Sequence, residues 1–145
     1  PNPVPEIGWY RLHTRPEAAA DALFRHFDHG VPQYIFQWHA YTFAPPPGAV
    51  PLAWTRSCRN QAYRLGERAW GLQFHLEADG PLISRWLGTP AGRSEIERHW
   101  DARRIARIAA ATRRYLPQAR PLADRVFGEF IRLFSVRRLA ALPSR

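Results

Sequence analysis

Residues 70–79 read WGLQFHLEAD, and this stretch decides how the rest of the sequence is interpreted. Apolar residues alternate with other residues along it, which is typical of a β-strand. Successive side chains of a strand point to opposite faces, so one face would carry three apolar side chains: Trp70, Leu72 and Phe74. The spacing also predicts that His75 and Glu77 lie side by side on the other face, where the strand ends.

A histidine beside a carboxylate is one half of a familiar catalytic arrangement. The carboxylate fixes the tautomer of the ring and stabilises the imidazolium, which leaves the second nitrogen free to act as a base. His75 and Glu77 are therefore candidate catalytic residues that lack a nucleophile. From the spacing alone, a solvent-facing polar pair at a strand end explains the same two residues, and both interpretations stay open at this point.

Composition and charge limit the class of protein. The 145 residues suit one domain, 46% of them are hydrophobic, and no apolar run reaches the roughly 18 residues of a membrane span. The net charge of +9 comes entirely from arginine, since the sequence has no lysine. Because the arginines crowd the second half at spacings that suit two exposed helix faces, solvated helices are favoured over nucleic-acid binding.

Two further expectations come from the start of the sequence and from its single cysteine. The sequence starts at Pro1 and contains no methionine, which favours a piece of a longer chain over a mature chain that lost only its initiator residue. One cysteine, Cys58, excludes an internal disulfide framework and fits a reducing cytoplasm.

The first half of the sequence predicts a helix followed by short strands. A capping box at residues 14–17 would begin a helix that buries Leu23, Phe24 and Phe27 and closes at Gly30. Aromatic and β-branched residues predict two strands, the proline run between them predicts a loop, and a Gly66-Glu67 type II′ turn predicts a β-hairpin. The boundaries are strands 32–39 and 51–55, loop 44–48, and hairpin strands 61–65 and 68–75.

The second half predicts two helices. A capping box at residues 94–97 would begin a helix that ends before Pro117. A last helix would run from about Pro121 to Phe134 and bury one apolar stripe: Leu122, Val126, Phe127, Phe130 and Phe134. This order of elements indicates an α/β or α+β layout. Because no βα units precede Gly8, we expect the N-terminal half of a doubly wound fold to be absent.

Several motifs together resemble a known family. The segments GLQFHLE (71–77), FQWHAYTF (36–43), PPGA (46–49) and NQAYRLG (60–66) resemble the C-terminal half of class I glutamine amidotransferase domains. The closest likeness is to stand-alone proteins similar to the glutaminase domain of GMP synthase. The resemblance implies a flavodoxin-like α/β domain, of which this chain would hold the C-terminal part, with the β-hairpin and two C-terminal helices.

The resemblance also implies a reaction and its residues. Family members use a Cys-His-Glu triad, in which a cysteine in a G-x-C-x-G turn attacks the glutamine side-chain amide and ammonia is released. By motif match, His75 is the base and Glu77 its partner, and Trp38, Ala40 and Tyr41 line the glutamine site. Aromatic core packing explains Trp38 and Tyr41 equally well. No metal or cofactor is implied.

Three departures from the family pattern affect these assignments. Leu76 replaces the usual proline between histidine and glutamate, and Ala40 and Tyr41 replace a glycine and an aspartate. The sequence has no G-x-C-x-G. Its one cysteine, Cys58, is flanked by arginines rather than glycines and is interpreted as a structural thiol.

Three functional hypotheses remain. The first is half of a glutamine amidotransferase that is inactive alone and acts on glutamine or another γ-glutamyl substrate. The second is a non-catalytic module that keeps the fold and binds a partner through an exposed sheet edge or its arginine-rich helices. The third is a γ-glutamyl hydrolase-type peptidase. The sequence contains no synthetase domain or ATP-binding loop, so it does not identify an ammonia acceptor or a synthetase partner.

Overall fold

The structure of the protein is a computed structural model that describes residues 1–101 and 103–135. Five strands come first, with two short 3₁₀ helices, Pro16–Ala20 and Phe24–His26, after the first strand. The strands are β1 Glu6–Thr14, β2 Gln33–His39, β3 Val50–Trp54, β4 Ala62–Leu65 and β5 Ala69–Leu72. Three α-helices follow: α1 Gly80–Gly88, α2 Pro90–Glu97 and α3 Arg103–Ser135.

The strands form one antiparallel sheet in the order β2-β1-β3-β4-β5. The two longest strands pair along most of their length, with Glu6 opposite His39 and Leu12 opposite Gln33. The end of β1 then turns to pair with β3, where His13 lies opposite Trp54. The predicted α/β class, the two predicted strands and the hairpin are confirmed.

The first predicted helix is wrong. Residues 6–14 form β1, so Thr14 ends a strand instead of capping a helix. Only two 3₁₀ turns follow, because the backbone is extended at Asp21, where the carboxylate accepts the N–H groups of Leu23 and Phe24 at 2.9 and 3.0 Å. Such local side-chain bonds offer the backbone an alternative to a helix. The side chains expected inward, including Phe27, are buried as predicted.

The hairpin differs from the prediction by one residue. Leu65 pairs with Ala69, so the connection holds three residues, 66–68, rather than two. Gly66 begins it with a φ of +59°, a left-handed conformation that glycine adopts without a steric penalty. The strand β5 ends at Leu72, which is 38% exposed, so it is shorter than the strand predicted over residues 68–75.

The predicted start of the first C-terminal helix is also wrong. An additional helix, α1, precedes it and is capped by Asp79, which accepts the N–H of Leu82 at 2.8 Å. The cap of α2 is Thr89, which accepts the N–H of Gly92 at 3.1 Å. Ser94 therefore lies inside α2 and caps nothing.

From Arg103 onward, the two predicted C-terminal helices form one continuous helix. α3 runs through Pro117 and Pro121, each of which removes a backbone donor. The carbonyl groups without a partner are those of Arg113, four residues before Pro117, and of Pro117, four residues before Pro121. All three residues are exposed, so water can satisfy these carbonyl groups. Apolar contacts on the opposite face hold the helix together on either side of the prolines.

Two apolar clusters pack around the sheet. Ile35 belongs to the first, with the 3₁₀ helices and the second half of α3, whereas Phe36 belongs to the second, with α1, α2 and the first half of α3. Leu122 and Val126 are buried as predicted. Three residues predicted inward on the same helix are instead 42–43% exposed: Phe127, Phe130 and Phe134. None of the described helices combines the length and apolar character needed to cross a membrane.

Candidate active site

The candidate catalytic pair lies in the segment between β5 and α1. Backbone hydrogen bonds hold this segment at both sides: Gln73 donates to the carbonyl of Gln61 at 2.8 Å, and His75 donates to that of Phe36 at 2.9 Å. Asp79 then begins α1. The backbone around the pair is therefore fixed by two strands and a helix cap.

His75 and Glu77 lie together, although strand β5 has already ended. Nδ1 of His75 is 2.6 Å from Oε1 of Glu77. A carboxylate accepts hydrogen bonds, so this contact places a proton on Nδ1 and leaves the lone pair of the neutral ring on Nε2. Within the described part of the chain, Nε2 makes no hydrogen bond. The arrangement is that of an oriented base.

His75 lines two cavities. The first, of about 230 Å³, lies against α3 and is lined by Trp9, Leu116 and Phe127 among others. The second, of about 380 Å³, lies against α1 and α2. It is lined by His75 and by Trp38, Trp86, Thr89, Ala91, Gly92 and Glu95. The open nitrogen of His75 therefore belongs to an imidazole that borders space large enough for a small molecule.

The three residues predicted at a substrate site are not all beside His75. Trp38 lines the second cavity, whereas Ala40 and Tyr41 line neither. The carbonyl of Ala40 accepts the N–H of Asn2 at 2.9 Å, and the Tyr41 side chain is 70% exposed. A substrate role for Ala40 and Tyr41 stays a prediction.

A second imidazole–carboxylate pair lies in the interior. Nε2 of His39 is 3.0 Å from Oε2 of Glu6, and Nδ1 of His39 is 2.9 Å from the carbonyl oxygen of Tyr41. Both ring nitrogens are thus engaged with oxygen acceptors, and the side chains are almost fully buried. Unlike His75, His39 has no nitrogen available for a substrate.

The Glu6 carboxylate is saturated with hydrogen bonds. It accepts from the hydroxyls of Thr55 and Ser57 and from the amide of Gln61, each at 2.6 Å. Burial favours the neutral carboxyl, but the bonds from His39, Ser57 and Thr55 outweigh it and lower the pKa of Glu6. This network joins β1 and β2 to the segment before β4 and has a structural character.

Cys58 belongs to the same buried region. Its Sγ lies 3.2 Å from the hydroxyl of Thr42 and 3.4 Å from the carbonyl oxygen of Asn60, and the residue is 1% exposed. It lines neither cavity beside His75. Donor atoms of Cys58, Glu6 and His39 lie within 4.8 Å of one another, a set that could ligate a metal ion, but hydrogen bonds already occupy the carboxylate and the imidazole.

Comparisons with solved structures support this fold. A glutamine amidotransferase from Thermotoga maritima matches with a TM-score of 0.72 and 26% identity, over 88% of this chain and 51% of that one. One from Methylobacillus flagellatus matches with a TM-score of 0.69 and 25% identity, over 90% and 53%. The fold is glutamine amidotransferase-like. The structure of SMU.1228c, at 18% identity and a TM-score of 0.68 over 91% and 53%, shares it.

The glutamine amidotransferase-like chain spans about half the length of these solved structures. No protein-family model matches the sequence, and no significant match is found among curated proteins. The resemblance to class I glutamine amidotransferases, predicted from four short motifs, is confirmed at the level of the fold.

Two residues beside His75 were not singled out from the sequence. The Trp86 ring packs edge-on against the His75 ring, with centroids 5.0 Å apart. Glu95 accepts the indole N–H of Trp38 at 3.0 Å. For Trp86, the only local signal in the sequence was Asp79-Gly80-Pro81, which is typical of the start of an amphipathic helix. No local pattern could predict the role of Glu95, because its partner Trp38 is 57 residues away.

Proposed function

We propose that this chain provides the base and the orienting carboxylate of a glutamine amidotransferase active centre. In this proposal His75 and Glu77 act with a cysteine that lies outside the 145 residues. The observation that carries it is the 2.6 Å contact between Nδ1 of His75 and Glu77, with Nε2 left without a partner in the described residues and the ring bordering two cavities.

The proposed chemistry uses this geometry. Nε2 of His75 takes the proton of the cysteine thiol, and the thiolate attacks the side-chain carbonyl of glutamine. The imidazolium, stabilised by Glu77, gives the proton to the departing nitrogen, so that ammonia leaves and a γ-glutamyl thioester remains. His75 then takes a proton from water, which attacks the thioester to give glutamate and restore the thiol. A γ-glutamyl amide other than glutamine would react in the same way and release its amine.

Cys58 is a poor candidate for the nucleophile. It is buried, contacts Thr42 and Asn60, lines neither cavity beside His75, and lies in a loop without glycine. A nucleophile must lie within reach of the base that activates it. We therefore assign Cys58 a packing role.

We also propose that Trp38, together with Ala40 and Tyr41, borders the substrate.

The test compares this chain with a polypeptide extended upstream to a G-x-C-x-G cysteine. The 145-residue chain should release no ammonia from glutamine, whereas the extended chain should. In the extended chain, His75→Ala and Glu77→Gln should lower kcat, by about 10²-fold or more for the histidine. The matched controls His99→Asn and Glu67→Gln change exposed residues and should leave kcat unchanged. A folded extended chain that fails with both glutamine and γ-glutamyl amides would overturn the proposal.

A non-catalytic interaction module is the second candidate, and the surface of α3 favours it. Phe127, Phe130, Ile131 and Phe134 are exposed on this helix, and apolar patches of this kind often mark protein interfaces. For this candidate the occupant would be a second copy of the chain. Sedimentation or size-exclusion chromatography with light scattering should then give a dimer that Phe130→Ser and Ile131→Ser convert to a monomer, whereas a wild-type monomer would argue against it.

A further inference from the structure

The second cavity beside His75 has aromatic walls and one carboxylate. The rings of Trp38 and Trp86 meet edge to face with centroids 5.5 Å apart, and Trp86 also packs against His75. Glu95 lines the same cavity. The remaining lining residues are small: Thr89, Ala91 and Gly92.

The Glu95 carboxylate lacks a cationic partner. Its Oε2 accepts the indole N–H of Trp38 at 3.0 Å, and within residues 1–101 and 103–135 it forms no ion pair. This is unusual in a chain with 21 arginines, none of which lines the cavity. A partly buried charge without a partner is costly, and a ligand cation at this position would offset that cost.

The other polar side chain of the cavity wall, apart from His75, is already used. The Thr89 hydroxyl accepts the N–H of Gly92 and donates to the carbonyl of Trp86, so it serves as the cap between α1 and α2. A ligand in the cavity would therefore meet the Trp38 and Trp86 rings, one carboxylate and the His75 imidazole. Aromatic faces and a carboxylate together are the groups that bind organic ammonium ions.

We propose that Trp38, Trp86 and Glu95 form a binding site for a primary ammonium group. The assignment of this ammonium group to the substrate rests on the proposed function, because the site adjoins His75. The ammonium would come either from the α-amino group of the γ-glutamyl unit or from an amine carried by the leaving group. Glu95 is thus assigned to specificity, and His75 to the reaction.

Binding can be measured on the 145-residue chain without any activity. In ¹H–¹⁵N NMR spectra the indole resonance of Trp38, assigned with Trp38→Phe, should shift with n-butylammonium chloride and much less with 1-pentanol, which is neutral and of similar length. Glu95→Gln keeps the shape and an acceptor for Trp38 but removes the charge, and it should weaken ammonium binding at least tenfold. The matched control Glu97→Gln, on the exposed face of α2, should bind as the wild type does.

Trp86→Leu supplies a second, independent variant. It removes one aromatic wall and should also weaken binding, while dispersed spectra show that the chain remains folded. Equal binding of butylammonium to wild type and Glu95→Gln, or equal shifts with pentanol, would overturn the proposal.

Two pairs of compounds identify the source of the ammonium. If the site binds the α-amino group, L-glutamine should shift the indole resonance of Trp38 and N-acetyl-L-glutamine should not. If it reads the leaving group, γ-glutamyl-(4-aminobutyl)amide should bind more tightly than γ-glutamyl-butylamide, and Glu95→Gln should abolish that difference. Butylammonium binding without either effect would overturn the link to a γ-glutamyl substrate. If an extended chain binds butylammonium in a charge-dependent way but releases no ammonia, the proposed function would be contradicted and the ammonium site would stand.

Discussion

Glu6 and His39 form a buried pair that joins the two longest strands of the sheet, with Oε2 of Glu6 3.0 Å from Nε2 of His39. Both nitrogens of His39 are bonded, whereas His75, which also contacts a glutamate, keeps one nitrogen open. The two His-Glu pairs therefore differ in what they can do. One stabilises the fold, and the other can exchange protons with a ligand.

The Glu6 network predicts how stability depends on pH. The pKa of Glu6 is lower in the folded protein than in the unfolded chain, so its contribution is present above the unfolded value of about 4.3 and is lost as the pH falls through the lowered folded value. Urea unfolding between pH 7 and pH 3 should show this loss. Glu6→Gln should lower the free energy of unfolding at pH 7 by about 1–3 kcal/mol, because one amide oxygen cannot accept from all of Thr55, Ser57, Gln61 and His39, and a buried donor is left without a partner.

The control for that experiment is Glu67→Gln, which changes an exposed glutamate in the hairpin turn. It should retain both the stability at pH 7 and the decline in acid. A Glu6→Gln protein with wild-type stability would contradict the structural role assigned to this network.

Gly92 allows α1 and α2 to approach closely. A Cβ atom at this position would lie 2.0 Å from the carbonyl oxygen of Trp86, a backbone atom that cannot move without shifting the helix. We expect Gly92→Ala to lower the free energy of unfolding by about 1–3 kcal/mol. Gly128→Ala is the matched control: nothing lies within 4 Å of its added Cβ, so in α3 it should raise stability by about 0.5–1 kcal/mol. Thermal melts of the two variants that shift in the same direction would contradict this interpretation.

Pro117 interrupts the hydrogen bonds of α3 at an exposed position. Pro117→Ala restores a donor for the carbonyl of Arg113 on the exposed face of the helix. We expect the free energy of unfolding to rise by about 1–2 kcal/mol, less than the full helix penalty of proline because the unfolded chain also gains freedom. Lower stability on chemical denaturation would show that the proline stabilises the helix.

Cys58 should be dispensable for catalysis. In an extended, active chain, Cys58→Ala should lower the free energy of unfolding by about 1–2 kcal/mol, because it empties a buried position, while kcat stays within twofold. Ammonia release and denaturant unfolding measured on the same preparation separate the two effects. Loss of ammonia release with unchanged stability would identify Cys58 as the nucleophile.

Local sequence patterns predicted the strands better than the helices. β2 and the hairpin were predicted because aromatic and β-branched runs are bounded by proline or glycine. Residues 6–14 were missed as a strand, and the two prolines of α3 were interpreted as a helix boundary. In α3, burial of Ile108 on one side of the prolines and of Leu122 and Val126 on the other outweighs the local preference.

The candidate site divides in the same way. His75 and Glu77 are two residues apart, so a spacing rule and a family motif both predicted their contact. The contacts between Trp38 and Glu95 and between Glu6 and His39 span 57 and 33 residues, and no local pattern reports them. These contacts depend on how α2 and β1 pack against β2, which only the folded chain shows.

The continuity of α3 has a consequence for cooperativity. At about 1.5 Å per residue, its 33 residues extend about 50 Å and supply side chains to both apolar clusters. If one end of α3 frays, the apolar cluster at that end loses buried side chains. The shortened helix is then less stable, which also weakens its packing in the other cluster. The two clusters should melt in a single transition, so that neither half of this chain persists as an independently folded unit.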